Sequence, residues 1–134
     1  MRLIAAFLLF AFAMAGNAAA AELKVQKVTD GIYAIVGPKT QRSPENLANN
    51  ATFGLVVTAK GAVLMDPGGS YKGAAALDAA IRTVTDRPVK VVINTGGQDH
   101  RWLGNGYFKA RGARIIASQA AVDDQKERGS MQLS

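Results

Sequence analysis

The sequence predicts an α/β fold built on a mixed sheet with its helices on one face. Three observations carry that expectation. Leu23–Gly37 and Thr52–Met65 hold four apolar-rich runs separated by short glycine turns, which is the pattern of antiparallel hairpins. Tyr71–Asn94 then changes from three- and four-residue apolar spacing to a β-branched run, so a helix leads into a buried strand. Val91–Asn105 finally sets the chain's single histidine and single tryptophan in a glycine-broken turn at the exit of that strand. Open α/β sheets keep their sites at strand exits of this kind.

Each element follows from its own residues. Met1-Arg2, the apolar run Leu3–Ala15 and the small residues Ala18-Ala19-Ala20 read as a secretory signal over residues 1–20, cleaved near Ala21 or Glu22. The run is shorter than the ~20 residues of a bilayer span, so no stable membrane anchor is expected. There is no cysteine to carry a lipid. Residues 21–134 remain, roughly 113 residues and a single domain by size. The expected location is periplasmic or secreted.

Leu23–Val28 alternates apolar and polar residues as a half-exposed strand, Thr29-Asp30-Gly31 turns, and Ile32–Gly37 returns as its hairpin partner. Lys39–Asn50 is polar and reads as a loop. Thr52–Thr58 and Ala62–Met65 are two more strands about the Lys60-Gly61 turn. Asp66 opens the turn Asp66-Pro67-Gly68-Gly69, where a carboxylate caps backbone amides. Ala74, Leu77, Ile81 and Val84 form one stripe, predicting a helix over Tyr71–Val84 that Asp86-Arg87-Pro88 ends. The strand Val89–Asn94 completes a βαβ unit and should run parallel to its predecessor. Leu103–Ala110 is a short helix with Gly112 as its left-handed C-terminal residue, and Arg114–Ala117 a last strand. Ser118 caps a polar helix over Gln119–Arg128, stopped by Gly129.

Composition narrows the function. The net charge is +6, but the basic residues are scattered and never interleave with aromatics, which argues against a nucleic-acid partner. The absence of cysteine excludes disulfides and thiolate chemistry. Chemistry-bearing side chains concentrate at Gln98-Asp99-His100. Two readings stay open on these residues alone. Asp99 and His100 form a hydrogen-bonded structural pair, or they are two of the four ligands zinc wants, with the Gln98 amide oxygen a weaker third. Trp102 reads as a wall between helix and sheet, and Arg101 as a candidate partner for an anionic group.

The stretch resembles the metal-binding segment of the metallo-β-lactamase fold superfamily, whose pattern is Asn-Thr, His-x-His-x-Asp-His, then Gly-Asn opening a helix. Asn94-Thr95 matches its start, Asp99-His100 its Asp-His and Leu103-Gly104-Asn105 its end. The middle is degenerate, one residue short and without histidine. Registered from the right, the absent histidines fall on Thr95 and Gly97; registered from the left, on Gly96 and Gln98. The hairpins, the Asn-rich loop and the strand ending in Asp66 resemble the first part of the same fold, where the loop lies over the active site. The resemblance implies the N-terminal half of an αββα sandwich, residues 21–134 being the incomplete domain. It also implies a zinc cofactor, Asp99 orienting a metal-bound nucleophile, His100 ligating the second metal, and Asp66 holding the loop.

Three functions follow as expectations. The first is an exported metal-dependent hydrolase acting on an ester, amide, thioester or lactam, with low metal occupancy in this chain. The others are a non-catalytic binding member of the fold and a truncated product without independent function. A half-sandwich also leaves one sheet face open, so self-association through that face is expected.

Overall fold

The computed structural model describes residues 22–133; the export signal read over residues 1–20 lies outside them. Six strands form one sheet in sequence order: β1 Lys24–Thr29, β2 Ile32–Val36, β3 Thr52–Thr58, β4 Gly61–Met65, β5 Val89–Asn94 and β6 Arg114–Ala117. β1 to β4 pair antiparallel, while β4, β5 and β6 pair parallel, so the sheet is mixed. The change of direction follows the connections. Tight turns at Gly31 (φ +73°) and Gly61 (φ +134°) serve the β1–β2 and β3–β4 hairpins, and both angles favour glycine. The parallel pairs are joined by helical crossovers through α1 Tyr71–Ile81 and α2 Asn105–Lys109.

Register decides what each face carries. One row across the sheet runs Tyr33, Leu55, Leu64, Val92, Ile115, flanked by Ile35 with Phe53 and by Ala62 with Val89. These residues form the core with Ala74, Leu77 and Ile81 of α1 and Tyr107 and Phe108 of α2. Each large aliphatic or aromatic chain buried there contributes about 1.5–3 kcal/mol relative to exposure. The alternate rows, Ala34–Gly54–Met65–Ile93–Ile116 and Ile32–Val56–Val63–Val91–Arg114, point to the other face. Helices α1 and α2 thus cover one face only.

Three helix boundaries differ from the sequence expectation. Helix α1 is capped by Ser70, whose Oγ accepts from Gly73 N at 2.9 Å, but it stops at Ile81. The Thr83 hydroxyl donates back to Ala80 O at 2.7 Å, and Val84 reaches the core from a turn closed by Val84 N to Ile81 O. The helix therefore ends well before Pro88, where β-hydroxyl competition replaces the helical ladder. Helix α2 is shorter than Leu103–Ala110, because a 3-10 turn over Asp99–Arg101 and the Gly104 cap precede it. Gly112 does take the left-handed conformation (φ +87°). The last helix, α3 Gln119–Gln132, runs through Gly129 instead of stopping there. The contacts that carry it further belong to the site.

Among the described residues, no helix is long and apolar enough to cross a membrane.

Candidate functional site at the exit of the fifth strand

Strand β5 ends at Asn94, and the turn beyond it is fixed from below. Asp66, at the end of the neighbouring β4, is 8% exposed and left-handed (φ +64°). Its carboxylate accepts from Thr95 N at 2.8 Å and from Thr95 Oγ1 at 2.7 and 3.0 Å. Asp66 therefore holds the turn beyond β5 and does not merely cap its own. Asn94 and Asn105 exchange amide hydrogen bonds at 2.9 and 2.8 Å, tying the strand end to the first residue of α2. A Cβ on Gly104 would lie 2.2 Å from Pro67 O, so only glycine lets the α2 cap approach the β4 turn this closely. The matched Asn-Thr and Gly-Asn pairs have plain structural work.

The candidate ligands sit on the 3-10 turn. His100 Nδ1 lies 3.1 Å from Asp99 Oδ1, which also accepts the His100 backbone N–H at 2.7 Å. The other carboxylate oxygen, Asp99 Oδ2, accepts from Arg42 Nη1 at 3.1 Å. Arg42 comes from the polar loop between β2 and β3 and also donates to Gln132 O at the end of α3. Gln98 Oε1 faces elsewhere, accepting from Arg101 Nε at 2.8 Å. The structure joins Asp99 to His100 and leaves Gln98 outside the pair.

The positions where the resemblance places histidines are all filled or engaged. Thr95 Oγ1 is held by Asp66 and receives Arg101 Nη1 at 2.6 Å. Gly97 N donates to Asp124 Oδ2 at 3.0 Å, and a Cβ at Gly97 would lie 2.3 Å from that oxygen. A Cβ on Gly96 would meet Arg101 Cδ at 3.1 Å, while Gln125 Nε2 donates to Gly96 O at 3.2 Å. Gln132 Nε2 reaches Gly97 O at 3.0 Å, and its Oε1 accepts from Trp102 Nε1 at 3.0 Å. Helix α3 is thereby packed on the glycine turn, with Trp102 as the wall between turn and helix. These tertiary bonds carry α3 past Gly129, where a β-carbon would lie 4.0 Å from the Trp102 ring.

The described residues do not by themselves assemble a zinc site. Among the described residues no three His, Cys, Asp or Glu side chains come together, whereas a catalytic zinc takes three protein ligands and a water. The Asp99 carboxylate is neutralised by a guanidinium, and acceptors and donors from α3 stand in the space beside Gly97. Sequence reasoning missed Arg42, Asp124, Gln125 and Gln132, and no short motif marks them. Nor does Arg101 wait for an anion, since Gln98 and Thr95 hold it. Beside the Arg42 loop lies a groove of about 680 Å³, lined by Arg42, Ser43, Leu47, Ser70, Tyr71 and Lys72 among others.

Arg128, 2.5 Å from Asp124, holds that carboxyl below its ordinary value, and the Gly97 amide bond adds to the effect. A depressed folded-state pKa means the contact is present above the unfolded value and lost as pH falls through the folded one. The amide resonance of Gly97 is therefore expected to titrate with a midpoint below 3.8, the ordinary value. A midpoint at or above it, followed by NMR, would show that α3 does not hold the turn through Asp124.

Comparison with known proteins adds the fold's name. No family model and no curated protein sequence matches the chain. Among solved structures, a metallo-β-lactamase from Pontibacter korlensis superposes with TM-score 0.64 at 23% identity, covering 81% of this chain and 49% of that one. One from Hirschia baltica gives TM-score 0.65 at 16% identity, covering 80% and 48%. The mono-zinc form of one from Pseudomonas aeruginosa gives 0.66 at 11%, covering 83% and 48%. The chain spans about half the length of these structures. Six strands in one mixed sheet, with the site at the exit of β5, are thus an α/β architecture of the metallo-β-lactamase fold.

Proposed function

We propose that this chain is an exported, non-catalytic binding member of the metallo-β-lactamase fold. Its zinc position has been refilled by its own side chains. The observation that carries this is the Gly97 turn, where Asp124 stands 2.3 Å from the place a β-carbon would occupy. An imidazole has no room there while α3 is docked. The adjoining groove, lined by Lys72 and the hydroxyl-bearing Ser43 and Tyr71 beside the Asp99-paired Arg42, suits a small polar molecule. Export rests on the basic start, apolar run and Ala-x-Ala pattern of residues 1–20.

A second reading is favoured by Asp99 and His100 lying together at the strand exit, and by the chain spanning half the length of its structural neighbours. In that reading the parent is a metal-dependent hydrolase of an ester, amide, thioester or lactam. Residues outside this chain would complete its ligand set.

One preparation tests export and the first reading. The full chain, expressed with residues 1–20 and recovered from the periplasmic fraction, is expected to show a mature N-terminus near Ala21 or Glu22 by intact mass. It is expected to bind zinc no more tightly in calorimetry than a surface Asp-His pair, and to leave ester, thioester and lactam substrates intact. Full-length protein confined to the cytoplasm would overturn export. Stoichiometric zinc with zinc-dependent turnover would overturn the non-catalytic reading.

A further inference from the structure

We propose that the groove between the Arg42 loop and the start of α1 binds a small carboxylate with a short apolar body. The inference rests on the binding reading above and gives it a ligand class. The groove's walls are fixed in advance, its floor is apolar, and its free charge is a single cation.

The walls are held by strain and close packing. Leu47 and Ala48 both take the left-handed conformation, with φ +54° and +60°. Residues with a β-carbon rarely adopt it, and keep it only where their surroundings hold them there. The buried Asn46 amide does so here. Its Oδ1 accepts from Ser43 N and Ala48 N, both at 3.0 Å, and its Nδ2 donates to Gln41 O at 2.7 Å. From the other side, Ser70 Oγ donates to Leu47 O at 2.7 Å. A β-carbon at Gly69 would lie 2.3 Å from Ala48 O, and one at Gly73 2.5 Å from Leu47 O. Glycine at both places lets the loop seat directly on the backbone that opens α1. The Tyr71 ring is set edge-on to Tyr107, with 5.3 Å between centroids. A ligand therefore meets walls already in place, which lowers the ordering cost of binding.

The lining chooses the ligand. Pro44, Leu47 and Ala48 give an apolar surface, with the exposed Tyr71 ring beside it. Lys72 brings an ammonium that has no hydrogen-bond or ion-pair partner among the described residues. Arg42 is spent on Asp99 and the Gln132 carbonyl, and the Ser70 hydroxyl on Leu47 O and Gly73 N. No acid lines the groove. Glu45, the only acid of the loop, is turned to the Ser43 hydroxyl, which holds its carboxyl below the ordinary value. One unmatched positive charge complements a monoanion, so a carboxylate suits it better than a phosphate dianion. The volume of about 680 Å³ falls within the ~300–1,000 Å³ of small-molecule sites. The apolar wall adds affinity with each methylene it buries, which calls for a short alkyl chain.

The test is an amide NMR titration of the full chain with sodium hexanoate, hexanol, hexylammonium and inorganic phosphate. Hexanoate is expected to bind with a dissociation constant of ~1 mM or tighter and to shift amides over residues 42–48 and 70–73. The other three probes are expected to bind at least about tenfold more weakly. Lys72→Gln is expected to weaken hexanoate about tenfold and to leave hexanol as it was. Leu47→Asn keeps a residue that tolerates the left-handed backbone and is expected to weaken hexanoate and hexanol alike. Far-UV circular dichroism confirms that each variant is folded. The proposal is overturned by no hexanoate shift at ~20 mM, by shifts confined to other residues, or by phosphate binding as tightly as hexanoate. Unchanged hexanoate affinity in folded Lys72→Gln overturns it as well. Failure here with zinc still unbound sinks the ligand class alone, whereas zinc-dependent turnover sinks the binding reading itself.

Discussion

Leu64→Ala is expected to destabilise the chain by about 2–5 kcal/mol, the cost of deleting a fully buried leucine side chain and leaving part of its volume empty. Leu64 is 0% exposed and sits in the middle row of the helix-covered face, between Leu55 and Val92. Its neighbour Val63 is on the same strand one residue away, between Val56 and Val91 on the open face. Val63→Ala removes apolar atoms that are only half-buried in the single chain. Its cost should stay under about 1 kcal/mol. Urea unfolding midpoints measure both. Equal costs for the two substitutions would mean that both faces are closed within one chain.

That contrast also shows how much of the fold was legible in the sequence. Strands β3, β5 and β6 have the bounds their β-branched and aromatic runs predict, because such residues suit a pleated surface. The turns were legible through Gly31, Gly61 and Gly112, whose left-handed angles only glycine takes without strain. Helix ends were less so. Gly129 looks like a stop, yet the bonds from Gln132 to Trp102 and Gly97 lie 30 and 35 residues apart in sequence and outweigh its local preference. The site was legible where the chain is local, as in the Asp99–His100 pair one residue apart. It was illegible where closure comes from afar. Arg42 reaches Asp99 across 57 residues from a polar loop without periodicity, and nothing in that loop distinguishes one arginine from the chain's other cations.

Putting an imidazole back at Gly97 is the substitution with the largest expected effect on the site. A side chain there starts with its β-carbon 2.3 Å from Asp124 Oδ2 and 2.4 Å from its Cγ, so either the turn or α3 must move. Displacing α3 costs the Gly97–Asp124 bond, the two bonds Gln132 makes to Gly97 and Trp102, and the Gln125 bond to Gly96. Overpacking of this kind typically costs about 1–3 kcal/mol. Gly97→His should therefore lower the unfolding midpoint, redden Trp102 fluorescence as the indole loses its helix, and raise hydrogen exchange over residues 119–132. The companion change Asp124→Ala removes the clashing carboxylate. If the clash is the cause, the double variant is less destabilised than the sum of the singles, since residues in contact do not add. Additive costs would place the strain elsewhere in the turn. A Gly97→His variant as stable as the parent, with α3 still protected, would mean that the turn admits the histidine, and that its absence rather than the space taken by α3 keeps zinc from this position.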